Sequence, residues 1–163
     1  MPQLAEAQSL VLLAGLETVR SHSMIATRMG AVIVYVHTAE APSDVEWDLA
    51  MRFFEAPDLK HLRVLVYTDG AAPNASQRAR LNGLLGSNKL PMAVLTPSVL
   101  ARAAGTAISW FNPNLRVYGA DDYEAAFQQL GASADERAAL RTLVERFKAE
   151  LGVRRAVAGQ ARP

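Results

Sequence analysis

The sequence has no cysteine among its 163 residues. Disulfide bonds, thiolate nucleophiles and zinc sites built on cysteine are therefore excluded for these residues. The three histidines, His22, His37 and His61, form no H-x-x-x-H pair and have no cluster of carboxylates beside them in the sequence. Because metal sites in proteins need such ligands at close spacing, we predict neither a metal nor another cofactor.

The sequence also lacks an excess of charged residues of one sign. The chain carries 17 basic and 16 acidic residues, a formal net charge of +1, so no global field attracts nucleic acid or an anionic membrane. The apolar stretch of residues 9–16 is shorter than the roughly 20 residues of a membrane span, and no Lys or Arg precedes it as in a signal peptide. We therefore expect a cytoplasmic protein that binds neither nucleic acid nor membranes.

Hydrophobic residues make up half of the chain, and their pattern indicates alternating strands and helices. The segments MIATR and AVIVYVH flank Met29-Gly30 and predict a β-hairpin. Three later apolar segments, RVLVYTD, PMAVLT and LRVY, predict strands that alternate with helices, which is typical of a mostly parallel sheet. We predict an α/β fold with a five-stranded, mostly parallel sheet, one antiparallel strand and flanking helices, extended by extra helices at the N and C termini.

Helix starts are marked by the capping-box pattern. In this pattern a Ser, Asn or Asp side chain accepts a hydrogen bond from the third helical residue, and a Glu or Gln at that residue accepts one in return. The pattern predicts four helix N-termini. The predicted pairs are Ser43 with Glu46, Asn74 with Gln77, Asp121 with Glu124, and Ser133 with Glu136.

Composition and periodicity divide the chain into four segments. Apolar residues at helical spacing predict an N-terminal helical extension over residues 1–23, ahead of a compact domain over residues 24–131. A regular apolar stripe predicts a C-terminal helix over residues 132–151, and the polar, basic residues 152–163 predict a flexible tail.

The predicted helix at residues 44–55 is apolar over most of its surface. Since a helix that lies on a sheet needs an apolar arc of only about 100°, something further must cover it. Either the terminal helices of the same chain do so, or a second subunit docks on a dimer face formed by Trp47, Met51 and Phe54. Aromatic side chains are favoured at such interfaces.

Polar residues fall at the predicted carboxyl ends of the strands, where ligands bind in open α/β sheets. His37 and Asp69 are two of them, and Ser76 follows in the next helical segment. A His, Asp and Ser set is compatible with a hydrolase or a small-ligand crevice, and this is our alternative hypothesis. However, the serine lies in no G-x-S-x-G motif, and the P-loop and dinucleotide-binding fingerprints are both missing from the sequence. We therefore predict no catalytic residue and no enzyme.

The order of the segments resembles a known family. A hairpin is followed by TAEAPSDVEWD, by a strand ending in VYTDGAAPNASQR, and by a long segment that contains PMAVLTPSVL, SWFNP and LRVYGADDYEAAFQQLG. This order, with the patches TDG-x-x-PN-x-x-QR and SW-x-NP, resembles the STAS-like group, which is similar to the anti-sigma-factor antagonists of bacterial switches. The resemblance covers residues 25–131 and implies a non-enzymatic α/β interaction module that binds a regulatory protein or a second copy of itself.

The resemblance also implies a place for regulation. In the regulated members, a partner kinase phosphorylates a serine or threonine that opens the helix after a central strand, which adds about −2 charge to the docking face. Ser76 lies nearest to that position. The implied partner-binding or phosphoacceptor region comprises Asp69, Gly70, Asn74, Ser76, Arg78 and Arg80.

Overall fold

The computed structural model describes residues 12–100, 102–103 and 112–153. This part of the chain contains a six-stranded β-sheet with the strand order β1-β2-β3-β4-β5-β6 and four α-helices with defined bounds. The strands are β1 (Thr18–Arg20), β2 (Met24–Met29), β3 (Val32–His37), β4 (Arg63–Thr68), β5 (Met92–Leu95) and β6 (Leu115–Tyr118). The helices are α1 (Asp44–Met51), α2 (Ala75–Leu85), α3 (Tyr123–Leu130) and α4 (Ala134–Glu150), and short 3₁₀ helices span Arg52–Phe54 and Leu59–His61.

The sheet is mostly parallel, as predicted. Strands β3 to β6 pair in parallel, while β2 alone runs antiparallel to both of its neighbours. The predicted hairpin of β2 and β3 is confirmed. Its tight turn contains Gly30, whose φ of 57° lies in the left-handed region that glycine adopts without steric cost.

The predicted count of five strands is wrong, because β1 adds a sixth at the edge of the sheet. It lies within residues 1–23, which we predicted to be helical. Thr18 and Val19 are β-branched residues that favour strands, and they pair with the outer side of β2. The Thr27 hydroxyl also donates a hydrogen bond of 2.6 Å to the Glu17 carbonyl, which fixes the edge strand. Residues 1–11 of the predicted extension and residues 154–163 of the predicted tail lie outside the described residues.

Both faces of the sheet are covered by helices. The side chains of β3 alternate between the faces, so that Val32, Val34 and Val36 join one core cluster, while Ile33 and Tyr35 join the other. Helices α3 and α4 pack on the first face, where Leu12, Leu13 and Leu16 also lie. Helices α1 and α2 pack on the second face. Burial on both faces explains the nearly continuous apolar runs of the central strands.

Three of the four predicted capping boxes are present, at Ser43, Asn74 and Ser133. The fourth prediction, Asp121 with Glu124, is wrong. Helix α3 begins at Tyr123, and its N-cap residue Asp122 makes no side-chain cap. The Asp122 carboxylate instead accepts the Gly119 N–H at 3.1 Å, because the preceding loop offers that donor.

The three side chains predicted to form a dimer face are core residues of the single chain. Trp47, Met51 and Phe54 are only 4%, 4% and 2% exposed. They belong to the core cluster on the second face of the sheet, which α2 also joins, so the sheet and α2 of the same chain cover this part of α1 while Val45 and Leu49 stay exposed. The N-terminal leucines pack on the opposite face and give no cover to α1. None of the described helices is long and apolar enough to cross a bilayer.

Candidate ligand-binding cavity

The three residues of the alternative hypothesis are separated in the structure. His37 is buried at the end of β3, while Ser76 is exposed in the first turn of α2. Asp69 is partly exposed. Its backbone N–H donates a hydrogen bond of 3.1 Å to the backbone carbonyl of His37, and its side chain makes no bond to His37. No hydrogen bond joins the side chains of these three described residues. Furthermore, the order of the six strands described above never reverses, so they form no crevice of the doubly wound type.

The loop after β4 is held by its own hydrogen bonds. The Thr68 hydroxyl donates to the Ala71 carbonyl at 2.7 Å and accepts the Gly70 N–H at 3.2 Å. Gly70 has a φ of 144°, a conformation that favours glycine over any residue with a side chain. Gly70 is thus required for the shape of the loop, whether or not a partner binds there.

Helix α2 is attached to α1 by residues at its N-terminal half. Gln77 is 2% exposed and donates from Nε2 to the Pro42 carbonyl at 3.0 Å and to the Asp44 carboxylate at 3.1 Å. Arg80 forms an ion pair with Asp48 of α1. These contacts hold the two helices side by side above the sheet.

The remaining members of the predicted partner-binding region lie at the start of α2. The Asn74 side chain caps the helix by accepting the Gln77 N–H at 2.9 Å. Arg78 is exposed, and its guanidinium donates to the Pro73 carbonyl at 2.8 Å. Together with the exposed Ser76, these residues place one polar surface at the beginning of the helix.

A cavity of about 110 Å³ lies between the sheet and the helix pair α1 and α2. A second cavity of about 150 Å³ adjoins it near the end of α2 and shares Asn82, Leu85 and Asn112 with it. The first cavity is lined by Tyr35, His37, Pro42, Trp47, Met51, Phe54, Val66, Thr68, Ala71, Ala72, Pro73, Leu81, Asn82, Leu85, Met92, Val94, Asn112 and Leu115.

The described lining of the first cavity contains no acidic residue, no lysine and no arginine. Three of its polar side chains already have partners within the protein. The Tyr35 hydroxyl donates to the Ala50 carbonyl at 2.9 Å, and the Thr68 hydroxyl is used within its own loop. Asn112 donates from Nδ2 to the Leu90 carbonyl at 3.0 Å. The cavity therefore presents mainly apolar surface.

Two residues of the lining carry a nitrogen atom without a hydrogen-bond partner. His37 Nδ1 and Trp47 Nε1 are buried and have no hydrogen-bond partner among the described residues. The two rings are neighbours, with centroids 6.4 Å apart, and the whole residues are 7% and 4% exposed. Leaving a buried polar group without a partner costs about 1–3 kcal/mol, so such pairs are uncommon in a core and frequent at sites that receive a ligand or ordered water.

The charge state of His37 follows from its surroundings. Burial lowers the pKa of His37 to about 4, although the nearby Glu46 carboxylate acts in the opposite direction. The imidazole is therefore neutral at neutral pH, with a proton on one ring nitrogen and a free acceptor on the other. Burial raises the pKa of Glu46, but hydrogen bonds from Ser43, Ser21 and Ser23 outweigh that effect and lower it to about 2.

No group of histidines and carboxylates in the described part of the chain is arranged to hold a metal ion. Comparisons with protein-family models, with curated proteins and with solved structures find no match to this chain. The resemblance to the STAS-like group therefore stays a prediction.

Proposed function

We propose that this chain is a non-enzymatic binding domain that takes a small molecule into the cavity beneath α1 and α2. The observation that carries the proposal is the pair of unpartnered nitrogens, His37 Nδ1 and Trp47 Nε1, on two residues that line a mainly apolar cavity. Binding sites for small molecules have this composition, because apolar surface supplies the affinity and a few polar groups fix the orientation.

Binding is favoured over hydrolysis by the groups that surround His37. The only hydroxyls in the described lining belong to Tyr35 and Thr68, and both donate to backbone carbonyls. A hydrolase needs a nucleophile within hydrogen-bond reach of its base, and the exposed Ser76 makes no such contact.

The proposal is tested by filling the cavity. Val66 lies on the cavity floor and is partly exposed, so Val66→Phe places a ring in the space that a ligand needs. We expect benzene and phenol to shift amide resonances of the lining residues in the unaltered protein. In Val66→Phe we expect the affinity for each of the two probes to fall at least about tenfold. Two-dimensional NMR titration measures this.

Val45→Phe is the matched control, because Val45 is 70% exposed on the outer side of α1. We expect this variant to bind both probes as the unaltered protein does. If neither probe shifts the lining resonances of the unaltered protein, or if Val66→Phe binds them equally well, the cavity is not a binding site.

We further propose that the domain acts as a cytoplasmic interaction module of the STAS-like type, with a second copy of the chain as one partner. A specific observation favours this second function. Val45 and Leu49 are one turn apart on α1 and are 70% and 42% exposed, which is unusual for two large apolar neighbours. Asp48 of α1 is paired with Arg80 of α2, so this apolar pair and the surface of α2 that carries Ser76 belong to adjacent helices.

Charge substitutions test this second function. We expect Leu49→Glu to weaken self-association at least about tenfold, because the carboxylate cannot be buried without a partner. Ser76→Glu, which mimics the charge of a phosphoryl group, is expected to act in the same direction, whereas Ser76→Ala has no effect. Light scattering over a range of protein concentrations measures the mass. A mass of one chain at every concentration for the unaltered protein would contradict self-association.

A further inference from the structure

The ligand class follows from the same cavity, so this inference rests on the proposed ligand-binding function. We propose that the cavity takes an uncharged molecule of about one six-membered ring that carries a single hydroxyl group, as phenol does. In this arrangement the hydroxyl lies between the Trp47 and His37 rings, and the ring contacts the apolar floor around Val66 and Val94.

The size of the ligand is limited by the cavity. Its volume is about 110 Å³. An apolar protein cavity of ~150 Å³ accommodates benzene, so one ring with one substituent fills this cavity and reaches into the adjoining one of about 150 Å³. Fused ring systems and long acyl chains exceed this space, and α1 and α2, which are held together through Gln77 and Arg80, would have to move apart to admit them.

The charge of the ligand is limited by the lining. None of its described residues carries a charge at neutral pH, since the only titratable groups, His37 and Tyr35, are neutral there. A carboxylate or ammonium group would be buried without a counter-ion, which is strongly unfavourable. The Glu46 carboxylate acts on His37 through its negative charge, which disfavours an anion further.

The two unpartnered nitrogens indicate that the ligand carries a hydroxyl group. Trp47 Nε1 is always a donor, so the ligand must offer an acceptor. His37 Nδ1 is a donor in one neutral tautomer and an acceptor in the other. A hydroxyl oxygen accepts a hydrogen bond from Trp47 Nε1. The same hydroxyl group can donate its hydrogen to an unprotonated His37 Nδ1 or accept a hydrogen bond from a protonated one, so it pairs with either tautomer. A ketone oxygen can only accept, so it pairs with His37 only in the tautomer that carries the hydrogen on Nδ1. A hydrocarbon forms a hydrogen bond with neither nitrogen.

Three probes separate the possibilities by NMR titration of the full chain at neutral pH: phenol, benzene and benzoate. We expect phenol to bind at least about tenfold more tightly than benzene, equivalent to about 1.4 kcal/mol, and benzoate to show no binding at the cavity. In His37→Phe, the preference for phenol over benzene should shrink several-fold, while benzene binds as before. Trp47→Phe removes the second nitrogen and should have the same effect, and the amide spectrum of each variant shows whether it is folded.

The outcomes of this titration test the ligand class and the binding site separately. If phenol and benzene bind equally, or if benzoate binds best, the proposed ligand class is wrong while the binding site stands. A preference for phenol that persists in both variants contradicts the role of the two nitrogens. Equal binding of phenol and benzene is also the result expected if water keeps both nitrogens satisfied when the ring enters, so that outcome overturns the class as well. If no probe binds, the proposed function itself fails.

Discussion

Replacing Trp47 with alanine is expected to lower the free energy of unfolding by about 3–5 kcal/mol, the range for loss of a large aromatic side chain from a core. Trp47 is 4% exposed and belongs to the core cluster that the sheet, α1 and α2 share. Its removal enlarges a cavity of about 110 Å³ that is already present, so little collapse of the surroundings is possible. Urea unfolding followed by far-UV circular dichroism measures the change independently of tryptophan fluorescence.

The matched control lies on the same helix. Leu49 is 42% exposed, and Leu49→Ala is expected to change stability by no more than about 0.5 kcal/mol in a dilute sample. The contrast between the two variants tests the rotation of α1 about its own axis. If Leu49→Ala proves as damaging as Trp47→Ala, then α1 presents its other side to the sheet and the described cavity does not exist.

Much of the fold could be predicted because its signals are local. The central strands are buried on both faces, so their apolar runs stand out, and the observed strand β6 has the predicted bounds. Three capping boxes mark the true starts of α1, α2 and α4. Strand β1 was not predicted because it is only three residues long, too short for its β-branched residues to stand out from the helical spacing of the leucines before it.

The candidate site was only partly predictable. His37 and Tyr35 are two residues apart on one strand, so the pattern alone predicts that their side chains share a face of the sheet. Trp47 could not be placed in the same way, because its position depends on how α1 docks against α2. That docking is fixed by contacts between distant residues, such as the Gln77 side chain on the Pro42 carbonyl. Hence an apolar, aromatic helix surface predicts burial but not what provides it.

Acidification is expected to destabilise the protein in two successive steps, and His37 causes the first. Its pKa is about 4 in the folded chain and 6.5 as the ordinary value. Between these values the unfolded chain binds a proton that the folded chain does not, so stability rises with pH in this window and falls as the pH is lowered. Above pH 6.5 the stability is unaffected by this group, and below about pH 4 the loss is complete. The full loss is roughly 3 kcal/mol, from 1.36 kcal/mol per unit of pKa.

Glu46 contributes to the second step, at lower pH. The folded-state pKa of Glu46 is about 2, against an ordinary value of 4.5. The unfolded chain therefore takes up a proton first as the pH falls below 4.5, and the stability that this carboxylate provides is lost progressively down to about pH 2. Glu136, whose pKa is lowered chiefly by its hydrogen bond with Arg63, loses its contribution in the same direction. We expect Glu46→Gln to flatten part of this second step and to enlarge the first, because the Glu46 carboxylate no longer raises the pKa of His37.

His37→Phe separates the first step from every other titration, because a phenyl ring retains contact with the neighbouring Tyr35 and Trp47 rings but binds no proton. Urea unfolding from neutral pH down to about pH 4 should show a stability that falls for the unaltered chain and stays nearly level for His37→Phe. Val45→Phe provides the control, since it adds a phenyl ring at an exposed position without removing a titratable group and should retain the full pH dependence. If His37→Phe loses as much stability on acidification as the unaltered chain, then His37 is accessible to solvent in the folded state. In that case its Nδ1 atom would be hydrated, and the cavity would have no need of a ligand hydroxyl at that position.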